Sequence, residues 1–455
     1  MKFSLTNHFK EKFSEAIKNN DKIFISESLY DVRPADITEL LYEFNSIHSK
    51  YVLDSIDLST ASKIISELDQ DTRVNFLKVF SAGEIAKYLE KIDSDDGADI
   101  LSDLDLDLRN KVITSIQDDD RSSNLKDLMR YDDDVAGGLM AKELVRCNLN
   151  WNIIQCIDQI RKQAEEVSKV YSVYVTDNYG KLIGKVSLKK IIIANDKTKI
   201  KEIYDDFVVS VNVYTNKEEI VLIMQKYDLE ALPVVNKRGK LVGRITIDDV
   251  VDVITESAEE ERQLMSGISS DVEEDDSIWK LSNARLPWLL IGILGGFLGA
   301  IFLGSFENTF ISDNKLFISL SFFIPLIMAT GGNVGIQSSS IVIQSLSNPS
   351  AFQDSVISRL FKVSIIAVLN GLVLALIVYF GINFLISENP KIPYIVSLSL
   401  FTVVIISSLM GTLTPILLDK LGFNPALASG PFITTTNDIL GLAIYFMVAI
   451  FLNSI

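Results

Sequence analysis

The chain has 455 residues and a formal net charge of −17, the balance of 60 acidic and 43 basic residues. This charge is unevenly distributed: residues 281–455 contain six acidic and six basic residues, so the whole excess lies in residues 1–280. An acidic front part repels nucleic acid and anionic lipid and attracts cations, so a nucleic-acid-binding protein is not expected. The apolar back part predicts a membrane domain.

The N-terminus and the few cysteines indicate a cytosolic location for the acidic part. The segment MKFSLTNHFKEKF lacks the apolar core that a signal peptide needs. Cys147 and Cys156 lie far in sequence from His8 and His48, so we expect neither a zinc site nor a disulfide framework, and the thiols should be buried or free. The chain has no P-loop GK[ST] motif and no nucleophile elbow, so we predict no enzyme.

Residues 1–130 predict an acidic helical domain, because apolar residues recur at three- and four-residue spacing. Loosely similar helical units occur at 35–44, 61–80 and 84–104, which predicts stacked helix pairs in a superhelical arrangement. The third unit contains an acidic corner, SDDGAD, with Asp93, Asp95, Asp96 and Asp99. Two interpretations of this corner stay open: helix capping by Ser94 and first-turn acids, or a cation site.

Residues 131–255 contain an internal repeat in which SVYVTDNYGKLIGKVSLKKII, at 172–192, matches ALPVVNKRGKLVGRITIDDVV, at 231–251. Each half predicts a strand, a glycine turn, a second strand and a helix. The repeat resembles a tandem pair of CBS motifs, a module of α+β architecture that often binds adenine nucleotides. The resemblance implies ATP or another adenine nucleotide as a ligand of this domain.

In the CBS resemblance, a Ser or Thr and an Asp three residues later hold the nucleotide ribose. Thr246 and Asp249 keep this spacing in the second half, whereas Ser187 is followed by Lys190 in the first. The resemblance therefore implies at most one intact nucleotide site. A helix capping box formed by Thr246 and Asp249 is the alternative interpretation.

Residues 256–280 predict a charged connector that begins as a helix continuing from the second CBS-like half and passes Gly267. It ends in a group of acids: Asp271, Glu273, Glu274, Asp275 and Asp276. A segment that touches both flanking domains could transmit motion into the membrane, although a merely solvated linker would have the same composition.

Residues 281–455 predict a five-helix transmembrane domain, because about 20 predominantly apolar residues suffice to cross a bilayer. The second candidate span is long or broken, and the five run roughly over 286–306, 317–346, 363–386, 394–418 and 426–452. The side richer in Lys and Arg is the side of the N-terminal domains, as the positive-inside rule requires. We therefore expect a multi-pass plasma-membrane protein with cytosolic N-terminal domains and with Ile455 outside.

Asp438 lies well inside the last apolar stretch, Pro425–Leu452. A carboxylate near the membrane centre costs at least roughly 2.5 to 3.5 kcal/mol, so it should face a wet pathway and attend an ion or a proton. The alternative is a protonated Asp438 that holds the bundle together through a hydrogen bond to another helix. The neighbouring Thr435 and Asn437 supply oxygen atoms of the kind that a hydrated hard cation prefers.

Two further membrane stretches are unusual. In the first span, glycines at two overlapping GxxxG spacings (Gly292, Gly295, Gly296 and Gly299) predict the close approach of another helix. In the second span, the polar stretch ATGGNVGIQSSS, at 329–340, should line a cavity or a helix interface. The candidate pore-lining residues are Gly331, Asn333, Gln337, Thr435 and Asn437.

These features together resemble the MgtE family of magnesium channels, related to the animal SLC41 transporters, across nearly the whole chain. The resemblance rests on the domain order and on RLPWLL at 285–290, TGGNVGIQS at 330–338 and NPALASGPFITTTNDILGL at 424–442. It implies a homodimer with a pore between the second and fifth membrane helices, Asp438 at the ion site, and Mg²⁺ as the ion taken up.

The resemblance also implies cytosolic Mg²⁺ sites that hold the connector against the pore and shut it. The implied ligands are Asp95, Asp99, Asp228, Asp249, Asp252 and Glu260. Two residues depart from the family pattern. Asn424 stands where an Asp often precedes the Pro-Ala pair, and Ile336 replaces a second Asn of the glycine motif.

Two hypotheses from other functional classes remain. A proton-coupled carrier would use Asp438 as its proton relay, and its transport would follow the proton gradient. A membrane-anchored CBS sensor would transport nothing. The carboxylate within a membrane span argues against the sensor, and the lack of other ionised groups in the spans argues against a multi-site proton relay.

Overall fold

The structure is a computed structural model. It describes residues 6–165, 167, 169–269, 272, 274, 276–309, 314–347, 355–385, 389–428 and 430–454. The acids Asp271, Glu273 and Asp275 of the connector, and Ile455, lie outside the described residues. The chain divides into two compact units, Met1–Ile254 and Thr255–Ile455, which we describe separately.

The first unit begins with ten short helices. Their bounds are α1 Asn7–Lys18, α2 Lys22–Leu29, α3 Pro34–Leu41, α4 Ser46–Leu53, α5 Leu58–Ser66, α6 Gln70–Leu77, α7 Ala82–Leu89, α8 Ser94–Asp103, α9 Leu106–Ser115 and α10 Asp119–Leu128. Their inner faces form one core that includes Ile37, Leu40 and Leu89. The helical prediction for this region is confirmed.

Many of the acids of this region start helices. Asp57, Asp69 and Asp105 each accept a hydrogen bond from a backbone N–H of the following helical turn, at 2.8–2.9 Å. Such caps satisfy amides that no helical carbonyl can reach, each worth about 1 kcal/mol. The predicted units at 61–80 and 84–104 are each divided between two helices, and Asp69 caps the helix after the first division. Part of the negative charge is therefore structural.

The rest of the first unit contains two three-stranded sheets. The strands are β1 Arg146–Asn148, β2 Val173–Thr176, β3 Leu182–Val186, β4 Val211–Asn212, β5 Ala231–Val235 and β6 Leu241–Thr246. In each sheet the first strand is parallel to the second and the second is antiparallel to the third. Four helices accompany them: α11 Ile153–Gln163, α12 Leu188–Ile193, α13 Lys217–Lys226 and α14 Ile247–Met265, the last of which continues into the second unit.

The predicted strand, turn, strand and helix of each repeat are confirmed. Gly180 and Gly239 occupy the two turns with φ of +80° and +76°, a region that residues with a Cβ rarely enter. The two turns also pair with each other, because the Leu182 N–H donates to the Gly239 carbonyl and the Leu241 N–H donates to the Gly180 carbonyl, both at 3.0 Å. Cys147 and Cys156 are buried free thiols, as expected.

Among its described residues, the second unit contains five helices long and apolar enough to cross a membrane. Its helices are α15 Ile278–Thr309, α16 Asn314–Ser321, α17 Ile324–Ser347, α18 Val356–Leu385, α19 Lys391–Lys420 and α20 Pro431–Asn453. The second span is broken between α16 and α17, where Pro325 in the first turn of α17 removes a backbone donor. The last helix begins later than predicted, because Pro425–Ala428 form a 3-10 turn and Gly430 has a φ of 57°.

Helices α17, α19 and α20 pack closely through small residues. A Cβ on Gly411 of α19 would overlap the Gly335 carbonyl of α17 and lie 3.0 Å from the Ser338 Cβ. The predicted close approach at the glycines of α15 occurs at Gly295, whose added Cβ would overlap the Thr435 side chain of α20. In the described residues, a Cβ on Gly292, Gly296 or Gly299 would meet nothing within 4 Å.

Candidate functional site

Asp438 lies on α20 beside a cleft of about 280 Å³ between α15, α17 and α20. The cleft is lined by the glycines of α15, by Met328 of α17 and by Thr435 of α20. A Cβ on Gly332 of α17 would lie 3.9 Å from the Asp438 Oδ1, so glycine leaves room beside the carboxylate. Among the described residues, no side chain forms a hydrogen bond or an ion pair with Asp438. The carboxylate is therefore available to a ligand.

The predicted pore-lining residues divide into two groups. Asn333 and Gln337 of α17 are exposed and lie one helical turn apart on the same face, and Thr435 is half-buried in the Asp438 cleft. Gly331 and Asn437 are instead buried where α17 packs against α20. The glycine backbone creates this placement, since it leaves a notch in α17 into which Asn437 fits.

The acids of the first unit form a second candidate site. Burial by the surrounding protein raises the pKa of Asp95 well above its usual range, and the charge of Asp249 is the next cause. Burial, then the charge of Asp93, raises the pKa of Asp96 to about 6. Burial, opposed by hydrogen bonds from Thr246, raises the pKa of Asp249 to about 6. The structure therefore brings the α8 corner and the start of α14 together.

The pairing of these acids differs in part from the prediction. Burial raises the pKa of Asp99 to about 7, and the next cause is Asp133, which sequence reasoning missed. Burial raises the pKa of Asp252, and Asp248 adds to the effect. Arg73 lowers the pKa of Asp96 and Asp99, but its guanidinium is bonded to Asp103 at 2.7 Å. The side chains of Asp99 and Asp252 nevertheless keep an exposed surface, as do those of the other two predicted ligands, Asp228 and Glu260.

Among the described residues, the acidic site lacks the ligand set of a directly chelated metal ion. In the described part of the chain, no group of three His, Cys, Asp or Glu side chains is arranged to hold a metal ion directly. Mg²⁺ keeps several of its waters in proteins and is commonly bound by one or two carboxylates. The proximity of Asp95 and Asp249 fits that mode of binding.

The start of α8 is fixed by a residue that the sequence did not reveal. Its N-cap, Asp93, makes no side-chain capping bond. Instead, the Ser94 N–H and hydroxyl donate to the Glu143 carboxylate at 3.1 and 2.7 Å, and the same carboxylate pairs with Arg121. Ser94 is therefore not the helix cap that the acidic corner suggested, and Glu143, 49 residues away, takes that role.

The nucleotide residues expected in the CBS pair are engaged with each other. The Thr246 N–H and hydroxyl donate to the Asp249 carboxylate at 2.7 and 2.9 Å, and the first of these bonds is one half of the capping box expected at the start of α14. A cavity of about 150 Å³ lies elsewhere, between the two halves of the pair. Its lining includes Tyr174, Lys185 and Phe207, and the buried Tyr174 hydroxyl has no partner among the described residues.

The end of the connector touches the start of α20 inside the second unit. Helix α14 ends before Gly267, which has a φ of +78°. A Cβ on Gly430 would lie 2.5 Å from the Met265 carbonyl oxygen, and a Cβ on Gly267 would lie 2.6 Å from the Pro431 Cγ. This contact therefore depends on the absence of side chains.

Comparisons with known proteins agree with these features. The profile described as MgtE, divalent cation transporter, matches residues 324–448, that of the MgtE intracellular N domain matches 32–134, and that of the CBS domain matches 135–196 and 200–256. A crystal structure of the cytosolic domain of the Mg²⁺ channel MgtE in complex with ATP is similar to this chain. The match covers 54% of this chain and 99% of that structure's chain. The two share 31% sequence identity, with a TM-score of 0.51.

Full-length relatives show the same similarity. The magnesium transporter MgtE of Thermus thermophilus is 30% identical over 449 residues, which cover 96% of this chain and 96% of that protein. The magnesium transporter MgtE of Bacillus subtilis is 28% identical over 92% of each chain. From its helical N-domain, its CBS pair, its five membrane helices and these relatives, we conclude that the chain belongs to the MgtE family of divalent cation transporters.

Proposed function

We propose that this protein is a Mg²⁺-selective channel that takes up Mg²⁺ across the plasma membrane, with Asp438 at the ion site. The observation that carries this proposal is a carboxylate within a membrane helix that faces a cleft and has no partner among the described residues. An intramembrane acid is retained against its insertion cost where it serves an ion pathway. Mg²⁺ gives up its waters reluctantly, so Asp438 accepts hydrogen bonds from a largely hydrated ion.

The channel is formed by two copies of the chain. The exposed amides of Asn333 and Gln337 support this, because polar side chains on a membrane helix avoid lipid and face a partner helix or water. A second copy placed against this face of α17 gives the amides a wet pathway and brings two Asp438 residues to one ion route. The relatives named above are transporters of magnesium, which supports the choice of ion.

The test compares Mg²⁺ flux into liposomes for the parent and for Asp438→Asn, with and without a proton gradient. The amide keeps the size of the side chain and removes its charge, so we expect Mg²⁺ flux to collapse while the protein remains folded. Asp419→Asn, which alters an exposed carboxylate at the end of α19, is the matched control and should keep normal flux. Normal flux in Asp438→Asn would make the residue structural, and flux that follows the proton gradient would favour the proton-coupled carrier.

The acids of the first unit close the channel when cytosolic Mg²⁺ is high. Two carboxylates about 5 Å apart repel by roughly 3 kcal/mol at an effective dielectric near 20, so without a cation the α8 corner and the start of α14 separate. Bound Mg²⁺ reverses this repulsion and shifts the population towards the compact state. The proximity of Asp95 and Asp249 supports this proposal. The compact state holds the connector against the pore mouth, where α14 ends.

Neutralising Asp95, Asp99, Asp249 and Glu260 together should leave a channel that conducts but no longer shuts at high internal Mg²⁺. The cytosolic part should also lose its Mg²⁺-dependent protection from proteolysis. A matched control neutralises four exposed acids outside the cluster, namely Glu11, Glu15, Glu202 and Asp206. If the first variant closed at the parent's Mg²⁺ concentration, the acidic cluster would be ordinary solvated surface.

An adenine nucleotide binds in the cavity between the CBS halves. The cavity combines an aromatic side chain, Phe207, for stacking on a base with the cation of Lys185 for a phosphate. ATP binding measured by calorimetry should weaken in Lys185→Ala and not in Lys189→Ala, which alters an exposed lysine of α12. An unchanged affinity in Lys185→Ala would exclude this cavity as the phosphate site.

A further inference from the structure

Asn437 occupies an unusual position next to the ion-site residue. It is the residue before Asp438, yet its side chain is 1% exposed and lies against α17. Its Nδ2 is 3.4 Å from the Gly331 carbonyl oxygen, a long hydrogen bond, and its Oδ1 has no partner in the described part of the chain. So weak a set of polar contacts does not explain why this side chain is buried.

The surrounding glycines explain the burial by shape. A Cβ on Gly335 would overlap the Asn437 amide and lie 2.7 Å from the Ile433 Cγ2. A Cβ on Gly331 would lie 3.0 Å from the Val403 Cγ1 and 3.3 Å from the Ser407 Oγ. The two glycines therefore form a notch in α17, closed on its far side by α19, and Asn437 fills it.

This fit fixes the rotation of α20 about its own axis. Neighbouring residues of an α-helix point about 100° apart, so a side chain held in the α17 notch directs the next one to a different face. Asp438 accordingly lies at the cleft beside α15. A rotation of α20 would carry the carboxylate away from that cleft.

We propose that Asn437 is a positioning residue: by filling the notch formed by Gly331 and Gly335, it sets the rotation of α20 and so aims the Asp438 carboxylate. This inference rests on the proposed function of Asp438 as the ion site. It assigns the effect to the volume and branching of the Asn437 side chain and not to its amide chemistry.

The test is a packing exchange read by Mg²⁺ flux in liposomes with the full-length protein. Asn437→Ala empties the notch and Gly335→Ala obstructs it, so each should raise the half-saturating Mg²⁺ concentration by roughly threefold or more, because ion sites tolerate little displacement. The double variant Gly335→Ala/Asn437→Ala exchanges the volume between the helices and should return to within about twofold of the parent. Asn437→Leu keeps the branched shape without the amide and should also remain near the parent.

The controls separate positioning from general damage. Gly381→Ala on α18, where a Cβ meets nothing within 4 Å among the described residues, should change neither half-saturation nor melting temperature. The thermal melting of the double variant and of Asn437→Leu should also match that of the parent. Unchanged half-saturation in both single alanine variants would overturn the inference, as would a double variant worse than either single, or loss in Asn437→Leu. A parent that carries no Mg²⁺ flux would instead contradict the proposed function itself.

Discussion

At the scale of single residues, the acids around α8 differ in kind from the acids that cap helices. Asp57 and Asp105 each accept a backbone hydrogen bond at the start of a helix, whereas neighbouring carboxylates raise the pKa of Asp95 and Asp96. Asp249 belongs to both groups, because it accepts the Thr246 N–H and neighbouring carboxylates also raise its pKa. Composition could not separate the two groups, because both consist of aspartates at the starts of helices.

The raised pKa values predict a pH dependence of the cytosolic part. Asp96 and Asp249, with pKa about 6, and Asp99, with pKa about 7, bind protons more tightly when folded than when unfolded. Their contribution to stability is therefore complete below the unfolded pKa of about 3.9 and is lost as the pH rises through 6 to 7.

Without divalent cations, protection of residues 1–254 from proteolysis should increase when the pH falls from 8 to 6. Saturating Mg²⁺ should remove most of this dependence, because the bound cation replaces the proton as the source of positive charge. Protection that is independent of pH in the absence of Mg²⁺ would contradict the prediction.

The individual partners of these residues could be predicted only in part. The motif SDDGAD identified Asp95 and Asp99, and the CBS resemblance identified Asp249. The partners Asp133 and Glu143 could not be found, because each depends on how α8 packs against distant chain segments. Periodicity and turn chemistry describe local structure and contain no information on such contacts.

At the scale of elements, the contact between the end of the connector and α20 gives the second prediction. Gly430 has a backbone conformation of φ 57° and ψ −129° and lies against the Met265 carbonyl. Gly430→Ala should therefore displace the end of the connector away from the start of α20. If this contact transmits closure, the variant should continue to conduct at high internal Mg²⁺.

The matched control for this variant is Gly422→Ala. Gly422 also has a positive φ, +79°, but a Cβ there would meet nothing within 4 Å among the described residues. Both substitutions strain the backbone, and only Gly430→Ala disturbs the contact with the connector. Equal Mg²⁺ sensitivity of the two variants and the parent, measured as flux against internal Mg²⁺, would exclude a role for the contact.

The element boundaries show why the length of an apolar stretch alone was insufficient to predict where a membrane helix begins or breaks. The stretches around 317–346 and 426–452 each contain enough apolar residues for one span, yet the structure divides both. Pro325 and Gly430 lie at the divisions, where a missing donor and a positive φ are incompatible with a continuous helix. The sequence contained these signals, but hydropathy does not measure them.

At the scale of the whole molecule, the odd number of spans predicts that the two ends of the chain lie on opposite sides of the membrane. A cysteine at Ser454, which is exposed beyond the end of α20, should react with an impermeant thiol reagent added outside intact cells. A cysteine at Glu11, exposed in the N-domain, should react only after permeabilisation. Background labelling should be low, because Cys147 and Cys156 are buried. The reverse pattern would invert the topology.

The domain types were accessible from the sequence because each has its own sequence pattern. Helical spacing identified the N-domain, two matched segments at 172–192 and 231–251 identified the CBS pair, and long apolar runs identified the membrane helices. The candidate ion-site residue was accessible for a related reason, since Asp438 is conspicuous within an apolar run. The role of Asn437 was not, because it depends on the notch that two glycines leave in a different helix.

The Glu143 cap provides a backbone amide whose exchange with solvent can report on the proposed opening of the cytosolic part. The Ser94 N–H donates to a carboxylate that belongs to the neighbouring CBS segment and not to its own helix. If the N-domain and the CBS pair separate without Mg²⁺ as proposed, each separation releases this amide to water and each closure protects it again. The hydrogen–deuterium exchange rate of one backbone amide then counts the openings of the cytosolic part, so Mg²⁺ should slow that exchange in proportion to the time spent closed.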